Sequence, residues 1–185
     1  MGRVLDGISV ELTAFLEAQP VFFVATAPND PDAFVNCSPK GLDTFRVLDA
    51  HTVAYLDLTG SGVETIAHLR DNGRITLMFC AFTGRPDIVR LQGRGRFLPA
   101  DAPEAAAHLA RFPEYPGARA VIVVDVERVS SSCGYAVPRM TLDAPRDELV
   151  DWAAKKDEAG LTEYRRTKNA TSIDGLPGLG EPGTR

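Results

Sequence analysis

Apolar residues at Ile8, Leu12, Phe15 and Leu16 recur at helical spacing and predict a helix over residues 8–19, ended by Pro20. The pattern then changes period. A β-branched and aromatic run at 21–27 closes on the turn cluster Pro28-Asn29-Asp30-Pro31, and runs at 34–37 and 52–58 predict further strands, with turns at 41–43 and 49–51. Residues 62–71 read as a helix stopped by Asn72-Gly73, followed by a strongly apolar strand at 74–82, a turn at 83–86 and a long strand at 87–98. A helix at 101–111 takes Asp101 as its N-cap and puts Ala105, Ala106 and Leu109 on one face. Residues 119–129 begin as a continuous apolar run and end in alternation, the pattern of a central strand. The last helix, 146–168, is broken at Gly160, and its polar end at 162–168 lies over the rest of the chain.

Most connections between these strands are too short for the crossovers that a parallel sheet needs. The expected fold is therefore β-rich (α+β): a six-stranded antiparallel β-barrel with peripheral helices. Residues 1–140 make the barrel domain, and residues 141–185 make a C-terminal helical segment and tail packing on it. Gly175-Leu176-Pro177-Gly178-Leu179-Gly180 and the residues to Gly183 hold no regular structure and read as a flexible tail or a clamp. Residues 168–177 are either an ordered loop over a site or a frayed end.

Composition narrows the function classes. The 185 residues are 44% hydrophobic and 24% charged with a net charge of −5, which fits a soluble globular chain and disfavours a nucleic-acid surface. No apolar run is long enough to span a membrane, and the first residues lack the apolar segment of a secretory signal, so a cytoplasmic location is expected. Cys37, Cys80 and Cys133 are odd in number and widely spaced, the pattern of reduced thiols. Cys37 has no visible activating base and reads as a buried, inert thiol. His51, His68 and His108 lack ligand spacing, so no metal site is expected.

The chemistry concentrates in two segments. Thr59-Gly60-Ser61-Gly62-Val63-Glu64-Thr65 is a glycine-hydroxyl turn at a helix start, where backbone N–H groups and the helix dipole suit a phosphate. The same Ser61-to-Glu64 spacing is also a capping box, and both readings stand. Upstream, Asn36-Cys37-Ser38-Pro39-Lys40-Gly41 brings Lys40, a phosphate partner or a plain surface lysine. Arg90, Gln92, Arg94 and Arg96 share one strand face, either solvated or an electropositive wall, while Gly93 and Gly95 leave the other face open to close approach. Trp152, the single tryptophan, either stacks on a flat ligand or packs the C-terminal helix. No nucleophile elbow, Walker motif or Rossmann motif is present.

The turn at 59–65, the segment Leu69-Arg70-Asp71-Asn72-Gly73-Arg74-Ile75-Thr76-Leu77-Met78-Phe79 and the strand Ile88-Val89-Arg90-Leu91-Gln92-Gly93-Arg94-Gly95-Arg96-Phe97 resemble the pyridoxamine 5′-phosphate oxidase-like flavoproteins over residues 8–130. The resemblance implies a split β-barrel, a homodimer, and flavin mononucleotide (FMN) bound at sites across the dimer interface. Carried over position by position, it implies that Lys40, with Ser38 and Pro39 beside it, borders the cofactor. It implies a second basic contact at Arg46, a flanking Tyr55, and a phosphate-binding turn made by Thr59, Ser61 and Thr65. No catalytic residue is assigned. Val63 and Glu64 stand where family members that make pyridoxal phosphate carry a basic residue, and Val89 replaces the family's glutamine. The function implied is thus an FMN-dependent oxidoreductase acting on a small-molecule substrate, with a reduced nicotinamide as donor, rather than a true pyridoxamine phosphate oxidase. The alternative is a non-enzymatic split-barrel protein that binds a deazaflavin, haem or another ligand.

Overall fold

The computed structural model describes residues 2–179. Its strands are β1 (Arg3–Leu5), β2 (Phe22–Thr26), β3 (Asn36–Lys40), β4 (Phe45–Asp49), β5 (Thr52–Leu58), β6 (Arg74–Cys80), β7 (Ile88–Pro99) and β8 (Ala118–Ser132). Its helices are α1 (Val10–Glu17), α2 (Glu64–Asp71), α3 (Ala106–Leu109), α4 (Glu148–Ala154) and α5 (Glu158–Lys168). All strand pairs are antiparallel, in the order β3-β2-β6-β7-β8-β5-β4, with β1 added beside β8.

The sheet has eight strands rather than six. The two extra strands are β1, only three residues long, and β4, a five-residue segment between turns. Neither is long enough to show a period of its own; each exists because a neighbour, β8 or β5, offers its ladder. Phe34 and Val35 lie outside β3 and are exposed, so that strand starts later than the apolar run suggests.

Core packing curls the sheet on itself. Phe22 of β2 stacks on Phe79 of β6 at 5.3 Å, and also meets Phe45 of β4 at 5.4 Å and Tyr55 of β5 at 5.6 Å. Strands β2 and β5 are far apart along the ladder, so these ring contacts require a barrel, with its open seam between the unpaired edges of β3 and β4. The continuous apolar run in β8 is explained by burial on both faces. Ala120, Ile122 and Val124 face the barrel core, while Val121 and Val123 pack with Ala54, Leu56 and Phe112 on the outside.

Three helix boundaries differ from the expected ones. The C-terminal helix breaks at 155–157, where Asp157 caps α5 by accepting from the Gly160 N–H at 2.7 Å; Gly160 itself lies inside α5. Asp101 caps nothing, because Ala102 holds the N-cap position and Pro103 opens a 3-10 turn that runs into α3. No capping box forms at α2, whose N-cap is Val63 without a side-chain bond. The segment after α5 is ordered: Thr171 bridges Pro177, and Asp174 accepts from the Phe34 N–H at 3.2 Å. Residues 180–183 of the glycine-rich tail lie outside the described residues. No helix among the described residues is long and apolar enough to cross a membrane.

Candidate functional site

A cavity of about 340 Å³ opens at the seam. Strand β3 supplies Asn36, Ser38 and Lys40 by its period of two, and Pro39 also lines the opening. Pro39 has no N–H to offer a further strand, which suits its place on an edge. The β3–β4 connection adds Gly41, Leu42 and Thr44; Leu42 sits at φ 61, a left-handed conformation that a leucine rarely adopts. Leu56 and Leu58 of β5, Gly60 and Gly62 of the following turn, Glu64 and Thr65 of α2, Arg119 of β8, and Arg146 and Leu149 complete the wall.

The electrostatic centre is Asp57. Its carboxylate accepts from Lys40 Nζ at 3.1 Å and from Arg119 Nε at 2.6 Å, with Asp57 1% exposed. Burial pushes its pKa up, but the Lys40 and Arg119 charges and their hydrogen bonds outweigh that, so the carboxyl is held below its ordinary range. Two cations on one carboxylate leave this cluster with one net positive charge.

Arg119 does more than pair with Asp57. Its guanidinium donates to the Gly62 carbonyl at 2.8 Å, the Gly60 carbonyl at 3.4 Å and Asn169 Oδ1 at 2.9 Å. Asn169, at the C-terminal end of α5, donates in turn to the Gly60 and Ser61 carbonyls at 2.9 and 3.3 Å. Neither residue was a sequence candidate. An arginine leading a buried apolar run signals an internal partner, whereas Asn169 carries no local signal at all.

A buried polar chain runs behind the wall. Asn36 Nδ2 donates to both Thr65 Oγ1 and Thr26 Oγ1 at 3.1 Å, and Thr26 Oγ1 meets His68 Nδ1 at 2.9 Å. Burial lowers the His68 pKa and leaves its Nε2 without a partner. The Tyr55 hydroxyl ends beside Thr65 with no well-formed hydrogen bond, and burial, reinforced by the Asp57 charge, pushes its pKa well up.

The sequence candidates therefore divide. Ser38, Pro39, Lys40 and Thr65 line the cavity, Tyr55 stands behind Thr65, and Ser61 is exposed between two lining glycines. Thr59 is spent elsewhere, donating to the Gly117 carbonyl at 2.7 Å and accepting from Arg165 Nε at 3.0 Å. Arg46 is also removed: it chelates Asp43, donates to the Arg111 carbonyl at 2.9 Å and lies over the Phe112 ring.

Other candidates fall outside the cavity lining. Arg94 and Arg96 pair with Glu127 and Asp125 on a solvated face, and Arg90 donates to Ser132. Gly93 and Gly95 face the β8 backbone and the side chains of Leu69 and Ile75. Trp152 packs edge-on against Tyr164. Cys37 is exposed, not buried, because β3 is an edge strand and turns that side outward. No cluster of three or more metal-ligating side chains occurs among the described residues.

The family model for pyridoxamine 5′-phosphate oxidase matches residues 8–133. The chain belongs to that family. It is 40% identical over 191 residues to the pyridoxamine 5′-phosphate oxidase family protein ustO of Aspergillus flavus, covering 94% of this chain and 76% of the relative. Among solved structures, HupZ of Group A Streptococcus is 27% identical with a TM-score of 0.52, covering 66% of this chain and 91% of that one. A Lactobacillus delbrueckii protein described as a candidate pyridoxamine 5′-phosphate oxidase shares the fold at 22% identity and a TM-score of 0.52, over 69% of this chain and 98% of that one. The family match ends at Cys133, before Arg146, Leu149 and Asn169, so part of the cavity wall and its support lies beyond the matched residues.

Proposed function

We propose that this family member binds FMN in the seam cavity and carries out two-electron redox chemistry on a small-molecule substrate, with a reduced nicotinamide as electron donor. One observation carries the reading: Lys40, Thr65 and the start of α2, whose N-cap Val63 has no side-chain bond, line a cavity whose other wall is apolar. The donor set fits a flavin phosphate. Lys40 supplies charge, Ser61 and Thr65 supply hydroxyls, and the uncapped first turn of α2 supplies backbone N–H groups. Leu42, Leu56, Leu58, Leu149 and Pro39 offer the apolar surface that a flat ring system buries. The flavin supplies the redox chemistry when bound. The chain anchors the phosphate, and Lys40, fixed by Asp57, keeps its charge at the cavity wall.

A second reading is a non-enzymatic split barrel that binds a deazaflavin, haem or another ligand. It is favoured by Glu64, a cavity-lining residue whose carboxylate stands against Gly62 and accepts from the Ile173 N–H, and by Asp57, which absorbs part of the Lys40 and Arg119 charge.

The test is an absorbance spectrum of the purified protein and a titration with FMN followed by flavin fluorescence. Flavin bands or saturable quenching, weakened about tenfold or more in a Lys40→Ala, Ser61→Ala double variant, is the expected result, since a charge-assisted bond contributes about 1.5–3 kcal/mol. A colourless protein that leaves FMN fluorescence unchanged overturns the flavin reading and supports the second.

A further inference from the structure

We infer that Asn36 recognises the ligand directly: its side-chain carbonyl faces the seam cavity and accepts a hydrogen bond, and Thr26 and His68 are the positioning residues that hold the amide that way round. The inference rests on the FMN reading and deepens it, naming an O–H or N–H donor on the ligand as the group recognised.

The pairing of β2 with β3 sets Thr26 directly opposite Asn36. Thr65 and His68 stand three residues apart on α2 and share the face that meets these strands. Asn36 Nδ2 donates to Thr26 Oγ1 and to Thr65 Oγ1, each at 3.1 Å, which uses both amide protons. Asn36 lines the cavity, and its Oδ1 has no partner among the described residues and is not enclosed.

A threonine hydroxyl has a single proton to give. Thr26 Oγ1 accepts from Asn36, so its proton goes to His68 Nδ1 at 2.9 Å. His68 is then a neutral acceptor at Nδ1, with its ring proton on the unpartnered Nε2. Burial supports that state: it lowers the His68 pKa against the opposing pull of the Thr26 backbone carbonyl and of Asp174, Glu64 and Asp71. Turning the amide over would require Thr26 to donate to Asn36 and His68 to donate to Thr26, which needs the opposite tautomer. Thr26 is 4% exposed and His68 is fully buried, so water replaces neither partner.

Neighbouring acceptors are committed. Glu64 accepts from the Ile173 N–H at 3.3 Å, Asp57 holds Lys40 and Arg119, and the Gly60 and Gly62 carbonyls hold Arg119. A ligand donor that reaches this wall therefore meets Asn36 Oδ1. FMN offers ribityl hydroxyls and the imide N–H of its ring.

Affinity is to be measured by flavin fluorescence for FMN, for an analogue with a plain pentyl chain in place of the ribityl chain, and for FMN methylated at the imide nitrogen. The full chain is compared with Asn36→Leu, Thr26→Val and Thr26→Ser. One analogue should bind the wild type about fivefold more weakly than FMN, the worth of one hydrogen bond, and this difference should disappear in Asn36→Leu and Thr26→Val. The analogue that loses affinity identifies the donor. Thr26→Ser keeps the hydroxyl and should keep the difference, whereas a space-filling role alone would favour valine, the closer match in shape. Undiminished binding of the weaker analogue reports that each variant is folded.

Nitrogen NMR of the His68 ring tests the relay without any ligand: at pH 7 Nε2 should carry the proton and Nδ1 should be bare. A protonated Nδ1, analogues that both bind as tightly as FMN, or a difference that survives in Asn36→Leu and Thr26→Val overturns the inference. A wild type that binds none of the flavins overturns the FMN reading instead, while the ring tautomer still decides the orientation of the amide.

Discussion

Asp57 holds two cations at once, and its environment gives the acid limb of stability a definite sign. Lys40 and Arg119 hold the folded carboxyl below the ordinary value of about 3.9, against the opposing push of burial. The unfolded chain therefore takes up this proton at a higher pH than the folded one. The stabilisation is fully present above the ordinary carboxylate range and is lost as pH falls through the depressed folded value. Asp57→Asn should remove that dependence. It should also cost about 3–5 kcal/mol at pH 7, because Arg119, with its side chain 5% exposed, keeps its charge without a counter-ion. Urea denaturation of both proteins at pH 7 and pH 3.5 checks this. A loss under 1 kcal/mol at pH 7 would show that Arg119 can find another partner.

At the scale of elements, long runs were legible and short ones were not. The strands at 74–80, 88–99 and 118–132 and the helix at 64–71 each show a clear period or an unbroken apolar run, and each is found within a few residues of its expected place. Strands β1 and β4 escaped because they draw their stability from a neighbour's ladder. The site was half legible for the same reason. Lys40 and Thr65 announce themselves by type and position, whereas Arg119 meets Asp57 across 62 residues and Asn169 meets Gly60 across 109. Contacts of that span exist only once the fold does.

Gly93 shows the same dependence on long-range structure. It lies at the irregularity between β7 and β8, and an added Cβ would meet the Asp125 carbonyl oxygen at 2.0 Å. The space beside Gly60 is open, with nothing within 4 Å. Gly93→Ala should therefore destabilise by at least about 1–3 kcal/mol, while Gly60→Ala stays within about 0.5 kcal/mol. Thermal melts of the two variants decide it, and equal melting temperatures would mean that β7 shifts freely along β8.

At the scale of the whole molecule, the open seam raises the question of what stands opposite it. Phe34, Val35 and Ile173 are 67%, 73% and 72% exposed, and the Phe34 N–H bond to Asp174 brings their two segments together next to edge strand β3. A soluble monomer gains nothing by holding such side chains in water. Leu149, at 41% exposure, lines the cavity mouth from the C-terminal segment, so the wall there is open to solvent as well. A second copy of the chain meeting this face would cover the apolar surface and close the site, in an isologous contact about a two-fold axis. The expected species in sedimentation is thus a dimer of two 20.0 kDa chains. Introducing charge with Phe34→Glu and Val35→Glu should shift it to monomer while leaving the melting profile of the barrel intact, since both side chains lie outside β3 and the core. A monomeric wild type, or a double variant that remains dimeric, would place the contact elsewhere. FMN affinity measured across the same dilution series then tells whether the cavity needs its partner: affinity that falls as the dimer dissociates means that the second chain completes the wall, and affinity independent of concentration means that one seam is enough.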